Sequence, residues 1–404
     1  MNIPIMPNSL QFVQRKFQEY YVKNKIQLPP RFAQREYGFM FFDREGMVRH
    51  LGFSSENEII DFLIKNLPAH AYYSSAYYRD PKAQRMDDKD WMGADLIFDL
   101  DADHMVSGNF TYEEMLSIVK KEAKKLIYEF LLEDFGFNKK DLSIFFSGGR
   151  GYHIHVRNNK IYQLDSDERR EIVSYITASN MNFDSFIKEQ LMKGKIFNEN
   201  EGGWYGKFSR EIRHVAILLR ELHDSENYRE IESVLKDAGI KNRKRFMDLL
   251  FITKKVFREG SYVSEKRIID ILADMDDPKR INYLGDEENI VTFFQLIKHF
   301  VSIDLVGETD EPVTTDVHRL IRLPGSLHGK TGFRVTPVTL DEFDSFEPLK
   351  DAVVKEFFIN EIKANVKKDF SIRVLDQDFR FKVGEDIMPE GIALFGILRG
   401  FVEL

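Results

Sequence analysis

Two aspartates inside an apolar stretch constrain the fold of this chain more than any other feature. The stretch Leu96–Asp101 reads Leu-Ile-Phe-Asp-Leu-Asp, and its large apolar residues argue against a surface turn, the setting of many Asp-x-Asp pairs. Side chains alternate along a strand, so Asp99 and Asp101 point to the same side. Two carboxylates on a buried strand are costly unless they hold a cation. The stretch therefore predicts a core strand with a divalent-cation site.

The composition limits the class of protein. A chain of 404 residues is long enough for two or three domains with a large core. The absence of cysteine fits a reducing compartment and excludes disulfides and thiolate metal sites. No apolar run approaches the roughly 20 residues that span a bilayer, and Met1–Leu10 lacks a signal-peptide pattern. We expect a soluble, cytoplasmic protein with no membrane association.

Strand and helix signals are mixed up to about residue 165. Between the acid pair and the next strand, Thr111–Glu114 has the form of a capping box and opens a long helix that Gly136 would end. This arrangement predicts an α/β domain. Its predicted strands are Tyr37–Phe42, His70–Tyr78, Ala94–Leu100, Leu142–Phe146 and Tyr152–Val156.

From about Ser166 the sequence becomes charged and amphipathic, which predicts an inserted, mainly helical domain. We expect a discontinuous catalytic domain at 1–165 and 290–365, the insert at 166–289, and a C-terminal segment at 366–404 that packs on the catalytic domain. The predicted later elements are the helices Asp167–Ile176, Asn182–Met192, Arg210–Leu222, Arg229–Ala238, Val291–Val301 and Glu390–Gly400, and the strand Phe333–Val338.

A glycine-rich segment, Ser147–His155, carries the second candidate site. Its glycines let backbone amides approach an anion closely, and Arg150 offers a bidentate donor to phosphate oxygens. His153 and His155 share one strand face, which would suit a zinc pair, but no third soft ligand is evident nearby and the arginine and glycines favour phosphate. His155 is more simply explained as a satisfied, buried histidine.

A third segment, at 319–332, places Arg322, His328 and Lys330 around a Pro-Gly turn, which suits a triphosphate tail. Gly329-Lys330-Thr331 resembles part of a Walker loop. However, the sequence after it is strand-like and the strand–loop–helix context is missing. We therefore reject a P-loop fold.

The net charge of −8 argues against a protein that coats nucleic acid over its whole surface, yet it allows a local basic cleft. Two basic runs fit such a cleft, although such runs are more often simply a solvated helix face. The first holds Lys241, Arg243, Lys244 and Arg245, and the second, about three helical turns later, holds Lys254, Lys255 and Arg258.

The three segments together resemble the three motifs of the small, catalytic subunit of archaeal and eukaryotic DNA primases. They read Phe-Asp-Leu-Asp, Ser-Gly-Gly-Arg-Gly-Tyr-His-Ile-His and Arg-Leu-Ile-Arg-Leu-Pro-Gly-Ser-Leu-His-Gly-Lys-Thr-Gly, and the archaeal branch matches best. The resemblance covers most of the chain outside the helical insert. It also takes in Arg35–Phe39, Met47–His50, Tyr72–Tyr78 and Asp165–Ile176.

The resemblance implies a primase-polymerase fold and the synthesis of short RNA or DNA primers on single-stranded DNA from NTPs or dNTPs. It implies that Asp99 and Asp101 hold catalytic Mg²⁺ or Mn²⁺ ions with a third carboxylate, which falls best on Asp310 and less well on Asp304. It further implies a heterodimer with a large subunit that carries an iron–sulfur cluster. The residues implied to bind the incoming nucleotide are Arg35, Ser147, Arg150, His153, Arg322, His328 and Lys330.

One departure from the family is evident. Many members carry a cysteine-rich zinc knuckle after the acid pair, whereas this chain offers only His104 there, so we expect no zinc. Two other functions remain: a primase-like polymerase for repair or gap filling, and a nucleotide- or DNA-binding module that has lost catalysis. The absence of a fused ligase or nuclease segment disfavours the first, and the presence of all three carboxylates disfavours the second.

Overall fold

A computed structural model describes residues 5–24, 26–102, 110–179, 181–182, 185–186, 189, 201–258, 261–274, 280–301 and 311–404. The chain divides into two compact units. The first comprises Met1–Ile127, Phe137–Val173 and Leu305–Leu404, and the second comprises Tyr128–Gly136 and Ser174–Asp304. The described residues have the predicted mixed α/β character.

The strands and helices alternate along the first unit and the helices cluster in the second. The strands are β1 (Tyr37–Met40), β2 (Met47–Leu51), β3 (His70–Ser74), β4 (Ala76–Tyr78), β5 (Trp91–Ala94), β6 (Leu96–Asp101), β7 (Leu142–Phe146), β8 (Gly151–Val156), β9 (Thr253–Arg258), β10 (Ser261–Arg267), β11 (Leu320–Arg322), β12 (Thr336–Val338), β13 (Glu361–Val366), β14 (Phe370–Val374), β15 (Gln377–Phe381), β16 (Gly384–Pro389) and β17 (Val402–Glu403). The α-helices are α1 (Pro7–Lys23), α2 (Glu56–Asn66), α3 (Tyr112–Lys125), α4 (Ser166–Thr177), α5 (Gly203–Asp224), α6 (Tyr228–Asp237), α7 (Arg243–Leu250), α8 (Ile268–Leu272), α9 (Glu287–Val301), α10 (Glu311–Thr315), α11 (Pro348–Asp351) and α12 (Glu390–Leu398). A π-helix, Leu126–Asp134, continues α3.

Two four-stranded antiparallel sheets form the centre of the first unit, in the orders β11-β3-β1-β2 and β12-β7-β8-β6. Between them, the ring of Tyr73 stacks on that of His155 at a centroid distance of 6.1 Å. His155 is 1% exposed and its Nδ1 lies 3.4 Å from the Tyr73 hydroxyl, so it is a core histidine, as expected from the sequence. The strand with the acid pair, β6, is the last strand of the second sheet.

The capping box of α3 is confirmed. The Thr111 hydroxyl accepts from the Glu114 N–H while the Glu114 carboxylate accepts from the Thr111 N–H. The helix turns Val119 and Ala123, both fully buried, toward the sheet and packs against β8 and β6. The chain leaves the π-helix near Gly136, whose φ of +67° favours glycine. The helix α3 therefore packs against β6, the strand that carries the acid pair, and helps to hold it in place.

The second unit is built around α5 and α9, and it contains a β-hairpin that was not expected from the sequence. Lys254 and Lys255 are exposed on β9, which pairs with β10, so the second basic run does not continue a helix. Val256 and Phe257 on β9, and Tyr262 and Val263 on β10, are β-branched or aromatic residues, which are typical of strands. The predicted helix Asn182–Met192 lies mostly outside the described residues.

The predicted domain boundaries differ from this division at three places. Residues 166–173, which we expected to begin the insert, belong to the first unit. The helix α9, which we expected to belong to the catalytic domain, groups with the second unit, as does Tyr128–Gly136. The C-terminal segment belongs to the first unit. It forms the small sheet β16-β13-β17, the hairpin β14–β15 and the buried helix α12.

Candidate active site

The acid pair lies on β6 as predicted. Phe98 and Leu100 are fully buried, whereas Asp99 and Asp101 on the opposite face are half-buried, the Asp99 side chain being 22% exposed. The two carboxylates are thus held by a core strand and still reached by solvent. This setting suits hard, oxygen-binding cations.

His153 lies directly across from Asp99 in the β6–β8 ladder. Its Nε2 is 3.4 Å from an Asp99 carboxylate oxygen. Burial lowers the pKa of His153 to about 3, with a further lowering by the Arg322 charge, so the ring is neutral at pH 7. A neutral ring leaves the negative charge of Asp99 uncancelled, and that charge remains able to attract a cation.

The turn between β7 and β8 is closed by Ser147. Its hydroxyl accepts from the N–H groups of Gly149 and Gly151, each at 3.2 Å, which leaves the hydroxyl proton to be donated elsewhere. Gly148 has a φ of +75°, and a Cβ built on it would lie 2.8 Å from the Cβ of His328. Glycine is therefore required here both by the backbone conformation and by the approach of the third motif.

The second and third motifs interlock. The Thr331 hydroxyl donates to the carbonyl of Gly148 at 2.6 Å, and the Tyr112 hydroxyl of α3 donates to the carbonyl of Gly149. The Lys330 N–H lies 3.3 Å from His328 Nδ1 and donates to it. The glycine turn is thus held between α3 on one side and the turn of the third motif on the other.

His70, which no sequence motif indicated, belongs to this group. Its Nδ1 accepts from Arg322 Nη1 at 2.7 Å and from the Gly329 N–H at 3.2 Å, and its ring is 5.0 Å from that of His328. Because an arginine only donates, the neutral His70 carries its proton on Nε2. The only sequence signal for His70 was its position at the start of a predicted strand.

The positive charge of Arg322 affects three histidines of the site, namely His70, His153 and His328. Burial is the main cause that holds the pKa of His70, His153 and His328 below the usual value, and the Arg322 guanidinium lowers each further. The Lys330 charge also lowers the pKa of His70 and of His328. The Arg150 charge lowers the pKa of the Tyr112 hydroxyl, which burial raises. The histidines are therefore neutral donors and acceptors, and the arginines and Lys330 provide the positive charge.

These neutral histidines predict a loss of stability in acid. Below about pH 6.5 the unfolded chain binds protons that the folded chain excludes, so stability falls as the pH drops toward 3. For His153 alone the loss between pH 7.5 and 5 is about 2 kcal/mol. Urea unfolding at pH 7.5 and pH 5 should show a smaller acid loss in His153→Gln than in the wild type, and no change in His214→Gln, whose ring is exposed. Equal acid losses in all three proteins would contradict the assignment.

Arg35 lies in the core rather than among these groups. It is 0% exposed and its five N–H donors contact the carbonyls of Pro30, Ser74 and Ser75, the Tyr77 hydroxyl and the Asp95 carboxylate. No donor of the guanidinium is left for a phosphate. The structure thus gives Arg35 a structural role in place of the expected nucleotide contact.

Asp310 and Asp304 lie outside the described residues. The helix that begins directly after Asp310, α10, packs against β6. Within the described part of the chain, no cluster of three or more His, Asp or Glu side chains is arranged to hold a metal ion. Asp99 and Asp101 form the described part of the candidate cation site.

Comparison with known proteins identifies the family. The sequence model of the DNA primase small subunit family matches residues 98–340, which contain all three motifs. The chain belongs to the DNA primase small subunit family. It is 38% identical to the "DNA primase small subunit PriS" of Methanothrix thermoacetophila over 97% of this chain and 98% of that protein. The protein of the same name from Methanocella arvoryzae is 39% identical over 96% of this chain and 97% of its own length. That from Picrophilus torridus is 39% identical over 94% of each chain.

Membership makes the chain a primer-synthesising nucleotidyltransferase, the catalytic subunit of a DNA primase. A repair or gap-filling polymerase is not favoured, because the relatives that match over nearly the full length are named as primases. No helix within the described ranges is long and apolar enough to cross a membrane.

Proposed function

We propose that the chain starts primers de novo on single-stranded DNA, joins NTPs or dNTPs by a reaction that depends on Mg²⁺ or Mn²⁺, and works as a heterodimer with a primase large subunit. The observation that supports this most is the convergence of three sequence motifs on one site. The acid pair of β6 faces His153, and the glycine turn contacts His328 of the third motif.

The donor set fits Mg²⁺ or Mn²⁺. Asp99 and Asp101 offer only oxygen ligands and share one face of β6. The third ligand is Asp310, which directly precedes a helix that packs against β6, and Asp304 is the alternative. When bound, the cations lower the pKa of the primer 3′-hydroxyl and neutralise charge on the leaving pyrophosphate. We propose no zinc site in this chain.

The remaining site residues bind the nucleotide's phosphates. Arg322 is fixed by His70, Ser147 retains a hydroxyl proton to donate, and His328 is a neutral ring with a proton on Nε2. Arg150 and the exposed Lys330 add charge on either side of the glycine turn. Donors held in advance by a rigid turn lower the barrier because they need little rearrangement as charge develops on the phosphates.

The first basic run is a proposed template contact. Lys241, Lys244 and Arg245 are exposed at the start of α7, whereas Arg243 already bonds Glu232. Charge reversal of Lys241, Arg243, Lys244 and Arg245 should weaken binding to single-stranded DNA and lower the slope of log affinity against log salt by up to about 3. The nucleotide affinity should not change.

Fluorescence anisotropy with a labelled oligonucleotide at several salt concentrations measures this effect. The matched control reverses four exposed lysines of the C-terminal segment, namely Lys363, Lys367, Lys368 and Lys382. An unchanged template affinity in the first variant, or an equal loss in both, would show that the run is only a solvated surface.

Primer synthesis on unprimed single-stranded DNA tests the function as a whole. The assay supplies Mg²⁺ or Mn²⁺ with labelled NTPs or dNTPs, and it is run with and without the large subunit. De novo products support the proposal. Extension of supplied primers alone would contradict it and return the chain to the repair-polymerase alternative.

A further inference from the structure

The C-terminal helix α12 packs on the turn of the third motif. The ring of Phe395 stacks on that of Phe333 at 5.8 Å, and Leu394 lies so close to Gly332 that a Cβ there would be 2.8 Å from Leu394 Cδ2. Arg399 caps the end of this helix, and its guanidinium lies 5.6 Å from the centroid of the Phe395 ring. The helix thus places Arg399 beside the turn that carries Lys330.

Arg399 and Lys330 line one pocket of about 350 Å³. His70 and Gly329 form part of its wall, and no carboxylate is present among the described residues that line it. The rest of the wall is apolar and includes Met40, Phe41, Phe42, Leu398 and Phe401. A concave surface to which an arginine and a lysine both contribute is suited to a multiply charged anion.

The charge of Arg399 reaches the rest of the site. It contributes to lowering the pKa of His328, after the larger effects of burial, Arg322, His70 and Lys330. It also lowers the pKa of the Tyr112 hydroxyl, which burial raises. This hydroxyl donates to the glycine turn. The charge of Arg399 therefore acts on His328 of the third motif and on the tyrosine that bonds the glycine turn.

We propose that Arg399 is a further phosphate-binding residue, which contacts the terminal phosphates of the incoming nucleotide together with Lys330. This inference rests on the proposed nucleotide site. A purely structural explanation exists, because a cation at a helix C-terminus stabilises the helix. That explanation predicts a loss of stability and no selective loss of affinity for the triphosphate.

Calorimetric titration of the folded chain with ATP, ADP and AMP in Mg²⁺ distinguishes the two. We expect Arg399→Ala to bind ATP about ten-fold more weakly or worse, to bind AMP as the wild type does, and to raise KM more than it lowers kcat. Arg399→Lys should restore part of the ATP affinity. The matched control is Arg380→Ala, which removes an exposed arginine of the same C-terminal segment and should change nothing.

Thermal unfolding of each variant shows whether it is folded. Should Arg399→Ala not fold, Arg399→Gln gives the same comparison with a side chain of similar length. Wild-type affinity for ATP in the folded variant, or equal losses for ATP and AMP, would overturn the inference while the proposed function stands. Failure of the wild type to bind any nucleotide would instead overturn the proposed function and, with it, this inference.

Discussion

Replacing Asp101 or Asp99 with asparagine is expected to abolish primer synthesis, with a loss of about 100-fold or more, while the fold is kept. Asparagine has the shape of aspartate but lacks the negative charge that holds a divalent cation, whose stabilisation of the reacting phosphate amounts to several kcal/mol. Both side chains are half-buried on one face of β6, so removing one charge also relieves repulsion between them. The variants should therefore unfold at the same temperature as the wild type or at a higher one.

The measurement is primer synthesis on unprimed single-stranded DNA over a range of Mg²⁺ and Mn²⁺ concentrations, together with thermal unfolding. Asp378→Asn, which changes an exposed aspartate on β15, is the matched control and should retain full activity. Activity of Asp101→Asn or Asp99→Asn within ten-fold of the wild type would remove the acid pair from the proposed mechanism. Loss of activity with a lower unfolding temperature would indicate a structural role instead.

The sequence predicted well those elements whose signal is local. The strand Leu142–Phe146 was predicted to the residue, and the capping box placed the start of α3 correctly. Both depend on side-chain alternation or on contacts three residues apart, which can be read without knowledge of the fold. The three motifs were also located by type and order, and the structure brings Asp99, His153, Ser147 and His328 to neighbouring positions.

Apart from the local β9–β10 hairpin, the features that the sequence did not predict depend on distant contacts. The predicted strand His70–Tyr78 is interrupted at Ser75, whose N–H bonds the carbonyl of Arg319, and Ala94–Leu100 is interrupted at Asp95, which bonds Arg35 and Arg157. A histidine at the start of a strand does not show that an arginine 252 residues away will bind it. The burial of Arg35 likewise follows from the fold, because arginines are mostly exposed.

Substitution of Asp95, the residue that interrupts this predicted strand, is expected to have a large effect on stability. Asp95 and Arg35 are both 0% exposed and lie 2.8 Å apart, and Asp95 also bonds Arg157 and the Tyr77 hydroxyl. Burial raises the pKa of Asp95, but the charges of Arg35 and Arg157 outweigh burial and hold the pKa below its usual value. Asp95 directly precedes β6, so this network fixes the origin of the strand that carries the acid pair.

We expect Asp95→Asn to destabilise the first unit by about 3–5 kcal/mol, because it leaves Arg35 and Arg157 buried without a countercharge. Arg35→Met should cost less, since Asp95 keeps Arg157 and Tyr77, and the double variant should cost less than the sum of the two. The control is the exposed pair of Arg79 and Asp90, 3.0 Å apart, for which Arg79→Met should cost at most about 1 kcal/mol.

Urea unfolding followed by tryptophan fluorescence measures these energies. The chain has two tryptophans, Trp91 on β5 in the first unit and Trp204 in the second, so a Trp204→Phe background reports on the first unit alone. A cost below 1 kcal/mol for Asp95→Asn would show that the buried network does not hold the strand.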